Sequence, residues 1–131
     1  VQASIEASDE VLLVSEPELP SLTNCLGAKK IAEQMDREVI GLVLNSVRGE
    51  NSEVSREDVM DLMETEIIGE VPDHPHVREG IALREPVVSY RPDSIVSAKI
   101  ENVAYRVKGE EPPTRGALLR AKMKLQDINP L

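Results

Sequence analysis

The sequence has very few aromatic residues and a single cysteine. Its 131 residues include no Trp, no Phe and only Tyr90 and Tyr105, so stacking on nucleic-acid bases has few side chains to use. Cys25 alone excludes an internal disulfide framework and an all-cysteine cluster. Acidic residues outnumber Lys and Arg by 24 to 15, and this excess argues against direct contact with nucleic acid. No apolar run approaches the roughly 20 residues of a membrane-spanning helix.

Glycine-rich phosphate loops are also absent from the sequence. None of its seven glycines forms a G-x-G pair, and none precedes a lysine. The sequence therefore contains neither the G-x-x-x-x-G-K-[ST] loop that cradles a triphosphate nor the dinucleotide-binding fingerprint. We expect this chain by itself to be unable to hold a triphosphate and to be inactive as an enzyme. No residue is assigned a catalytic or metal-binding role.

Short apolar runs are present at regular intervals and predict strands. Continuous runs of this kind are typical of strands that are buried on both faces of a parallel sheet. Three clear runs and a weaker fourth occupy residues 11–14, 40–47, 67–71 and 86–88.

The segments between these runs have helical spacing of apolar residues. They predict helices from Pro20 to Met35, from Ser55 through Met63, and from residue 93 or 94 to 107. Ser55 with the acids that follow resembles a capping box. Alternation of strands and helices implies βαβ units, so we predict an α/β fold in which helices flank a parallel sheet.

The two ends of the sequence differ from this pattern. It begins at Val1, without an initiator Met or a signal sequence, so we expect it to be part of a longer protein. Residues 109–131 form a second segment, in which a Pro-containing linker precedes a tail with four basic residues among apolar ones. Two interpretations of this tail stay open. It is either a short amphipathic helix that contacts an anionic membrane through residues 115–125, or a disordered or protein-docking segment.

The residues just beyond the predicted strands are the candidate binding site, because open parallel sheets bind ligands at the carboxyl ends of their strands. Asn45 and Ser46 stand late in the second run, and Pro72 and Asp73 follow the third. An asparagine amide both donates and accepts, as the edge of a purine requires, and a proline ring offers a flat apolar wall. In the alternative interpretation, Asn45 hydrogen-bonds its own loop and Pro72 only ends a strand.

Two histidines next to this site, His74 and His76, invite a metal-binding hypothesis, because imidazoles are good ligands. Apart from Asp73, nothing nearby in the sequence offers a third ligand, and the segment fits the start of a helix. We therefore predict no metal site there.

Three segments, taken in order, resemble a known family. They are ASDEVLLVSEPELPSL at residues 7–22, VIGLVLNSV at 39–47 and IIGEVPDHPHVREGIALREPVV at 67–88. Together they resemble the carboxyl-terminal half of MinD-like ATPases, which belong to the MinD/ParA group of deviant-Walker P-loop proteins, and archaeal MinD-type proteins most of all. The resemblance covers residues 1–108 and implies the second half of a P-loop NTPase fold of the SIMIBI type. It also implies that the Walker A loop and the switch regions lie in a missing amino-terminal half, so ATP with Mg²⁺ is bound only when that half is present.

The resemblance also implies roles for individual residues. Asn45 resembles the asparagine with which the family recognises adenine, and Pro72 with Asp73 resembles the loop that packs on the base. Ser46 stands where the family usually has arginine, which removes a planar stacking group. Residues 18–24 resemble a helix near the dimer and partner-binding surface, which implies a homodimer or a MinD-type partner protein.

Two functions follow as hypotheses. In the first, this chain is the carboxyl-terminal part of a MinD-like ATP-binding protein that positions the cell-division site or a related cargo. That protein is expected in the cytoplasm, peripheral to the membrane if the tail binds lipid. In the alternative, the chain is a non-enzymatic interaction module of the same origin, which docks on another ATPase or division protein. An iron–sulfur carrier of this superfamily would need paired cysteines, and only Cys25 is present.

Overall fold

The computed structural model describes residues 1–113, within which three strands and six helices alternate. In chain order they are α1 (Gln2–Glu6), β1 (Glu10–Ser15), α2 (Leu19–Gln34), β2 (Glu38–Val47), α3 (Arg56–Met63), β3 (Ile67–Pro72), α4 (Pro75–Ala82), α5 (Val87–Tyr90) and α6 (Ile95–Val107). The predicted tail helix at residues 115–125 lies outside the described residues. Within them, no helix is both long and apolar enough to cross a membrane.

The three strands form one parallel sheet in the order β1-β2-β3. Leu13 of β1 lies beside Leu42 of β2, and Val43 of β2 lies beside Gly69 of β3. Helices α2 and α3 are the crossovers between successive strands, as parallel pairing requires. The predicted α/β fold, with a parallel sheet flanked by helices, is confirmed.

Each face of the sheet has its own apolar core, because neighbouring residues of a strand point to opposite faces. Leu42 and Leu44 of β2 belong to the core that α2 and α3 cover, and Val43 between them belongs to the other. The buried members of the first core are Leu13, Leu22, Cys25, Leu42, Leu44, Val59, Met63 and Ile67. Those of the second are Val43, Ile68, Val71, Val87 and Val96.

The predicted cap of α3 is confirmed in detail. Ser55 caps α3, since its Oγ accepts from the N–H of Asp58 at 3.1 Å and donates to the Asp58 carboxylate at 2.7 Å. Cys25 is buried in the first core, and this burial raises the pKa of its thiol.

The predicted fourth strand at residues 86–88 is wrong. Val87–Tyr90 is a short helix, in which the N–H groups of Ser89 and Tyr90 donate to the carbonyl of Pro86. Val87 is buried in the second core, and Ser97 of α6 donates to its carbonyl at 3.1 Å. A three-residue apolar run has too few positions to show a period, so contact with α6 decides its conformation.

Helix α1 was not predicted from the sequence. Ile5 is its buried residue, and Arg37 donates to the carbonyls of Ile5 and Glu6, at 3.4 and 3.0 Å. The last carbonyls of this short helix are therefore satisfied by a side chain distant in sequence.

Gly69 in β3 permits the close approach of α6, because a Cβ at this position would overlap the side chain of Val103. We expect Gly69→Ala to lower the free energy of unfolding by roughly 1–3 kcal/mol through this overlap. Gly27 is the matched control, since it is exposed within α2 and a Cβ there meets nothing within 4 Å. Gly27→Ala should raise the free energy of unfolding by roughly 0.5–1 kcal/mol, as expected in a helix interior. Denaturation by urea measures both changes, and equal effects of the two substitutions would contradict the packing of α6 on β3.

Candidate functional site

The carboxyl ends of the three parallel strands meet at one edge of the sheet. β2 and β3 end side by side there, with Val47 paired to Pro72. The N–H of Asp73 donates to the carbonyl of Val47 at 2.9 Å, so the chain leaving β3 is bonded to the end of β2. Ligands of open parallel sheets bind at this edge.

Strand β2 carries a bulge at Asn45 and Ser46. Between the residues that pair with Glu70 and Pro72, β2 has two residues where β3 has one. Ser46 has a φ of 55°, in the left-handed region that is uncommon for residues other than glycine. Bulges redirect side chains and are frequent next to binding sites. The bulge therefore takes Asn45 and Ser46 out of the regular pairing of β2 with β3.

The amide of Asn45 is exposed and lies inside the strand, two residues before its end. Within residues 1–113, no protein group hydrogen-bonds this amide. Asn45 thus does not bond its own loop, as the local interpretation of the sequence required. Its donors and its acceptor face outward at the edge where ligands of this fold class bind.

Asp73 links the loop after β2 to helix α4. Its carboxylate accepts from Arg78 at 2.8 Å and lies 3.3 Å from the Nε of Arg48. Both arginines are at least half exposed, so these ion pairs order the loops more than they stabilise the fold. Pro72, the last residue of β3, is half-buried and pairs with Val47 of β2.

The two histidines after Asp73 have structural partners. His74 caps α4, because its Nδ1 accepts from the N–H of His76 at 3.1 Å. The Nδ1 of His76 lies 2.9 Å from the Oγ of Ser94, the residue that caps α6. Within the described part of the chain, no three His, Cys, Asp or Glu side chains are grouped as they would be around a metal ion.

Glu53 orders the loop that follows the bulge. Its carboxylate accepts from the backbone N–H groups of Arg48 at 3.0 Å and of Glu50 at 2.9 Å. These hydrogen bonds, that of Arg48 first, hold the pKa of Glu53 below its ordinary value. Sequence reasoning missed Arg48, Glu53 and Arg78, because loop contacts have no periodicity by which to find them.

An open groove of about 660 Å³ begins at Asn45 and runs along β1. At the polar end its lining includes Glu16, Ser21 and Asn24, while Pro72 and Asp73 lie outside it. The structure thus brings all four candidate residues to one edge of the sheet. Asn45 lines the groove on the β1 side of the bulge, whereas Pro72 and Asp73 lie on its β3 side.

Two curated proteins share this sequence pattern over most of the chain. An uncharacterized ATP-binding protein of Methanocaldococcus jannaschii is 30% identical over 106 residues, which are 81% of this chain and 40% of that protein. The septum site-determining protein MinD of a Synechocystis species is 26% identical over 114 residues, 84% of this chain and 43% of that protein. This chain thus spans about two fifths of the length of these relatives. No protein-family model matches it.

Solved structures of MinD share the fold. The cell division ATPase MinD of Pyrococcus furiosus superposes with a TM-score of 0.75 at 26% identity, over 79% of this chain and 44% of that one. MinD of Pyrococcus horikoshii, complexed with Mg-ADP, gives 0.72 at 25% identity over 76% and 41%. The MinC:MinD complex of Aquifex aeolicus gives 0.77 at 26% identity over 87% and 48%.

The homologues of this chain are MinD and archaeal ATP-binding proteins. The matched region is the carboxyl-terminal part of these longer proteins, and its three-stranded sheet is consistent with the second half of the P-loop NTPase fold of MinD. The resemblance to MinD, inferred from three sequence segments, is confirmed. The roles given to Asn45, Ser46, Pro72 and Asp73 stay predictions.

The bulge makes Ser46 a test of backbone strain. Ser46→Gly should raise the free energy of unfolding by about 1 kcal/mol, because glycine adopts a positive φ without steric cost. Ser46→Val should lower it by roughly 1–3 kcal/mol, because a β-branched residue is poorly tolerated there. Ser52→Val, in an exposed turn without a positive φ, is the control and should stay within about 0.5 kcal/mol of the parent. If Ser46→Val and Ser52→Val lowered the free energy of unfolding equally, backbone strain at Ser46 would be contradicted.

The Glu53 carboxylate makes the order of this loop pH-dependent. We expect ¹³C NMR to show Glu53 titrating below an ordinary glutamate, because its charged form accepts two backbone hydrogen bonds. Because the pKa of Glu53 is lower in the folded than in the unfolded protein, the contribution of its carboxylate to the stability of the folded state is complete above the unfolded pKa. That contribution is lost as the pH falls through the pKa of the folded protein. Over that window the amide signals of Arg48 and Glu50 should shift. Glu53→Gln should abolish this shift, and Glu57→Gln should preserve it.

Proposed function

We propose that this chain supplies the adenine-contacting part of a MinD-type ATP site, in a protein that positions the division site or a related cargo. The observation that carries this proposal is Asn45. Its amide has no protein partner within residues 1–113, it projects from a bulge at the carboxyl edge of a parallel sheet, and its position resembles that of the adenine-recognising asparagine of the family.

The side chains around Asn45 suit recognition of a purine edge. The amide can donate to a ring nitrogen and accept from an exocyclic amino group at the same time. On the β3 side, Pro72 offers an apolar surface, and Asp73 holds the neighbouring loops through its two arginines. Ser46 adds no planar group, so the base would lack the stacking contact that an arginine provides.

The phosphates and Mg²⁺ do not fit the residues of this chain. Its sequence has no glycine-rich phosphate loop, and residues 1–113 bring no metal-ligand cluster together. The solved structure of MinD from Pyrococcus horikoshii contains the protein in complex with Mg-ADP. We therefore assign the phosphates and the metal to the part of a MinD-type protein that this chain does not match, and we expect no ATP hydrolysis by this chain alone.

The proposal includes a protein partner and a location. MinD of Aquifex aeolicus is found in complex with MinC. We place a homodimer or MinD-type partner surface at residues 18–24, where α2 begins with an exposed Leu19. We propose a cytoplasmic location, and both interpretations of residues 115–125 stay open, as a segment that contacts an anionic membrane or as a disordered or protein-docking tail.

A non-enzymatic module that docks on another ATPase or division protein is the second candidate. The serine that replaces arginine after Asn45 favours it, together with the absence of a phosphate loop from the sequence. In that case nucleotide should have no effect on the chain, with or without a matching Walker-loop half.

Thermal melting with Mg-ADP separates these two candidates. The chain is measured alone and after co-expression with the amino-terminal half of Pyrococcus furiosus MinD, which carries the region that this chain does not match. A ligand that binds only the folded state raises the melting temperature, so we expect Mg-ADP to raise it in the co-expressed sample only. A melting temperature that Mg-ADP leaves unchanged in both samples would favour the docking module.

Substitution of Asn45 tests the base contact itself. Asn45→Ala should weaken Mg-ADP binding to the co-expressed complex about tenfold, since the hydrogen bonds to the base are worth about 1.4 kcal/mol. It should also reduce the preference for ADP over GDP, because the amide reads the purine edge. Asn102→Ala, on α6, is the control and should change neither quantity. Unchanged binding and preference in Asn45→Ala would contradict the adenine pocket.

A further inference from the structure

We propose that the histidine pair, His74 and His76, makes the attachment of residues 72–74 to helices α4 and α6 sensitive to pH. The neutral imidazoles hold this segment in place, and their protonation releases it. The hydrogen bonds of the pair concern this chain alone. The effect of the pair on nucleotide rests on the proposed function, because the segment includes Pro72 and Asp73.

The ring of His74 is a hydrogen-bond acceptor at the start of α4. Its Nδ1 accepts from the backbone N–H of His76 at 3.1 Å, and this bond caps the helix. A backbone N–H can only donate, so the Nδ1 of His74 is unprotonated in the capped helix. A protonated imidazole has a hydrogen on both ring nitrogens and can no longer accept. Protonation of His74 therefore removes the cap.

Two further effects oppose a positive charge on His74. The first turn of a helix carries a partial positive charge, which disfavours a cation at that end. The ring centroids of His74 and His76 are 4.3 Å apart, so two imidazolium ions would repel each other at short range. Both effects act in the same direction as the loss of the cap.

His76 connects this cap to helix α6. Its Nδ1 lies 2.9 Å from the Oγ of Ser94, and the same Oγ accepts from the N–H of Val96 at 3.4 Å. Ser94 is only 5% exposed, so this contact lies mostly away from water. The starts of α4 and α6 are thus joined by one pair of side chains, directly after residues 72 and 73.

The charged side chains on the surrounding elements do not offset an added proton. They are Arg48, Asp73, Arg78, Glu79, Arg91 and Asp93. The carboxylate of Asp73 is already paired with Arg48 and Arg78. Glu79 and Arg91 both contact Tyr90, and Asp93 is exposed. Within residues 1–113, neither imidazole makes an ion pair with a carboxylate.

The direction of the pH effect follows from the neutral form that the cap requires. Histidine side chains change charge between about pH 5 and 8, and His74 and His76 are the only two in the sequence. The attachment of residues 72–74 is therefore complete at the alkaline end of this range and is lost as the pH falls. Once released, Pro72 would no longer be fixed against the proposed base, so acid should weaken nucleotide binding.

NMR of the full chain tests the histidine pair without nucleotide. At about pH 8, ring ¹⁵N shifts should show an unprotonated Nδ1 and a protonated Nε2 on His74. Between about pH 8 and 5.5, the protection factor of the His76 amide against hydrogen exchange should fall roughly fivefold, because its hydrogen bond is lost. The Asp58 amide, which Ser55 caps on α3, is the internal control and should keep its protection.

His74→Asn is the matched variant, because asparagine is a good N-cap residue and does not titrate. In this variant, the protection factor of the His76 amide should be the same at both pH values. His76→Gln should still lose protection of the residue 76 amide in acid, since the Nδ1 of His74 still becomes protonated. A double variant of both substitutions contains no histidine and should show no change.

Two results would overturn the inference. One is a proton on the Nδ1 of His74 at about pH 8, where the cap needs an acceptor. The other is an equal loss of protection in the parent and in His74→Asn. The protonated nitrogen is identified in the unmodified chain, so that measurement decides the question even if a variant fails to fold.

Mg-ADP binding separates this inference from the proposed function. In the complex co-expressed with the amino-terminal half of Pyrococcus furiosus MinD, acid should weaken binding several-fold more in the parent than in His74→Asn. Titration of the ADP phosphates is common to both proteins and cancels in this comparison. An equal weakening in both would contradict an effect of the histidine pair on nucleotide. A pH-sensitive His76 amide in a complex that binds no Mg-ADP would contradict the proposed function and support the histidine pair.

Discussion

Strand β2 is buried on both of its faces, and this burial determines where the helices and the candidate site lie. Leu42, Val43 and Leu44 are all buried, and β2 is hydrogen-bonded to a strand on each side. Parallel pairing makes the crossovers long, so helices α2 and α3 cover one face while α5 and α6 cover the other. The same pairing brings the carboxyl ends of the strands to a single edge. The location of the candidate site is thus a consequence of how β2 is packed.

The candidate site combines a rigid strand with a strained end. β2 leaves the core at Leu44 and within two residues reaches the left-handed backbone of Ser46. The contacts of Asp73 and Glu53 order the loops around this point. Asn45 therefore presents an amide that has no partner in residues 1–113, from a backbone that is fixed on both sides. Such preorganisation would suit the proposed recognition of a purine edge, since little conformational freedom would be lost on binding.

The two edges of the sheet differ in what lies against them within residues 1–113. At β3, Arg106 donates to the carbonyl of Ile68, and Val103 packs on the face of the strand at Gly69. The β1 edge is bordered by an apolar groove and an exposed Val14. This asymmetry agrees with a chain that corresponds to the carboxyl-terminal part of longer proteins.

The amino-acid sequence was enough to predict the three strands, the helices α2, α3 and α6, and the relationship to MinD, because apolar runs and helical periods are local patterns. It also located Asn45 and Pro72 at the strand ends. It could not determine the conformation of residues 86–88, since contact of Val87 with the second core selects a helix there. Nor could it show the bulge at Ser46 or the pairing of Asp73 with Arg48. These features depend on register and on contacts between residues distant in sequence, which exist only once the sheet has formed.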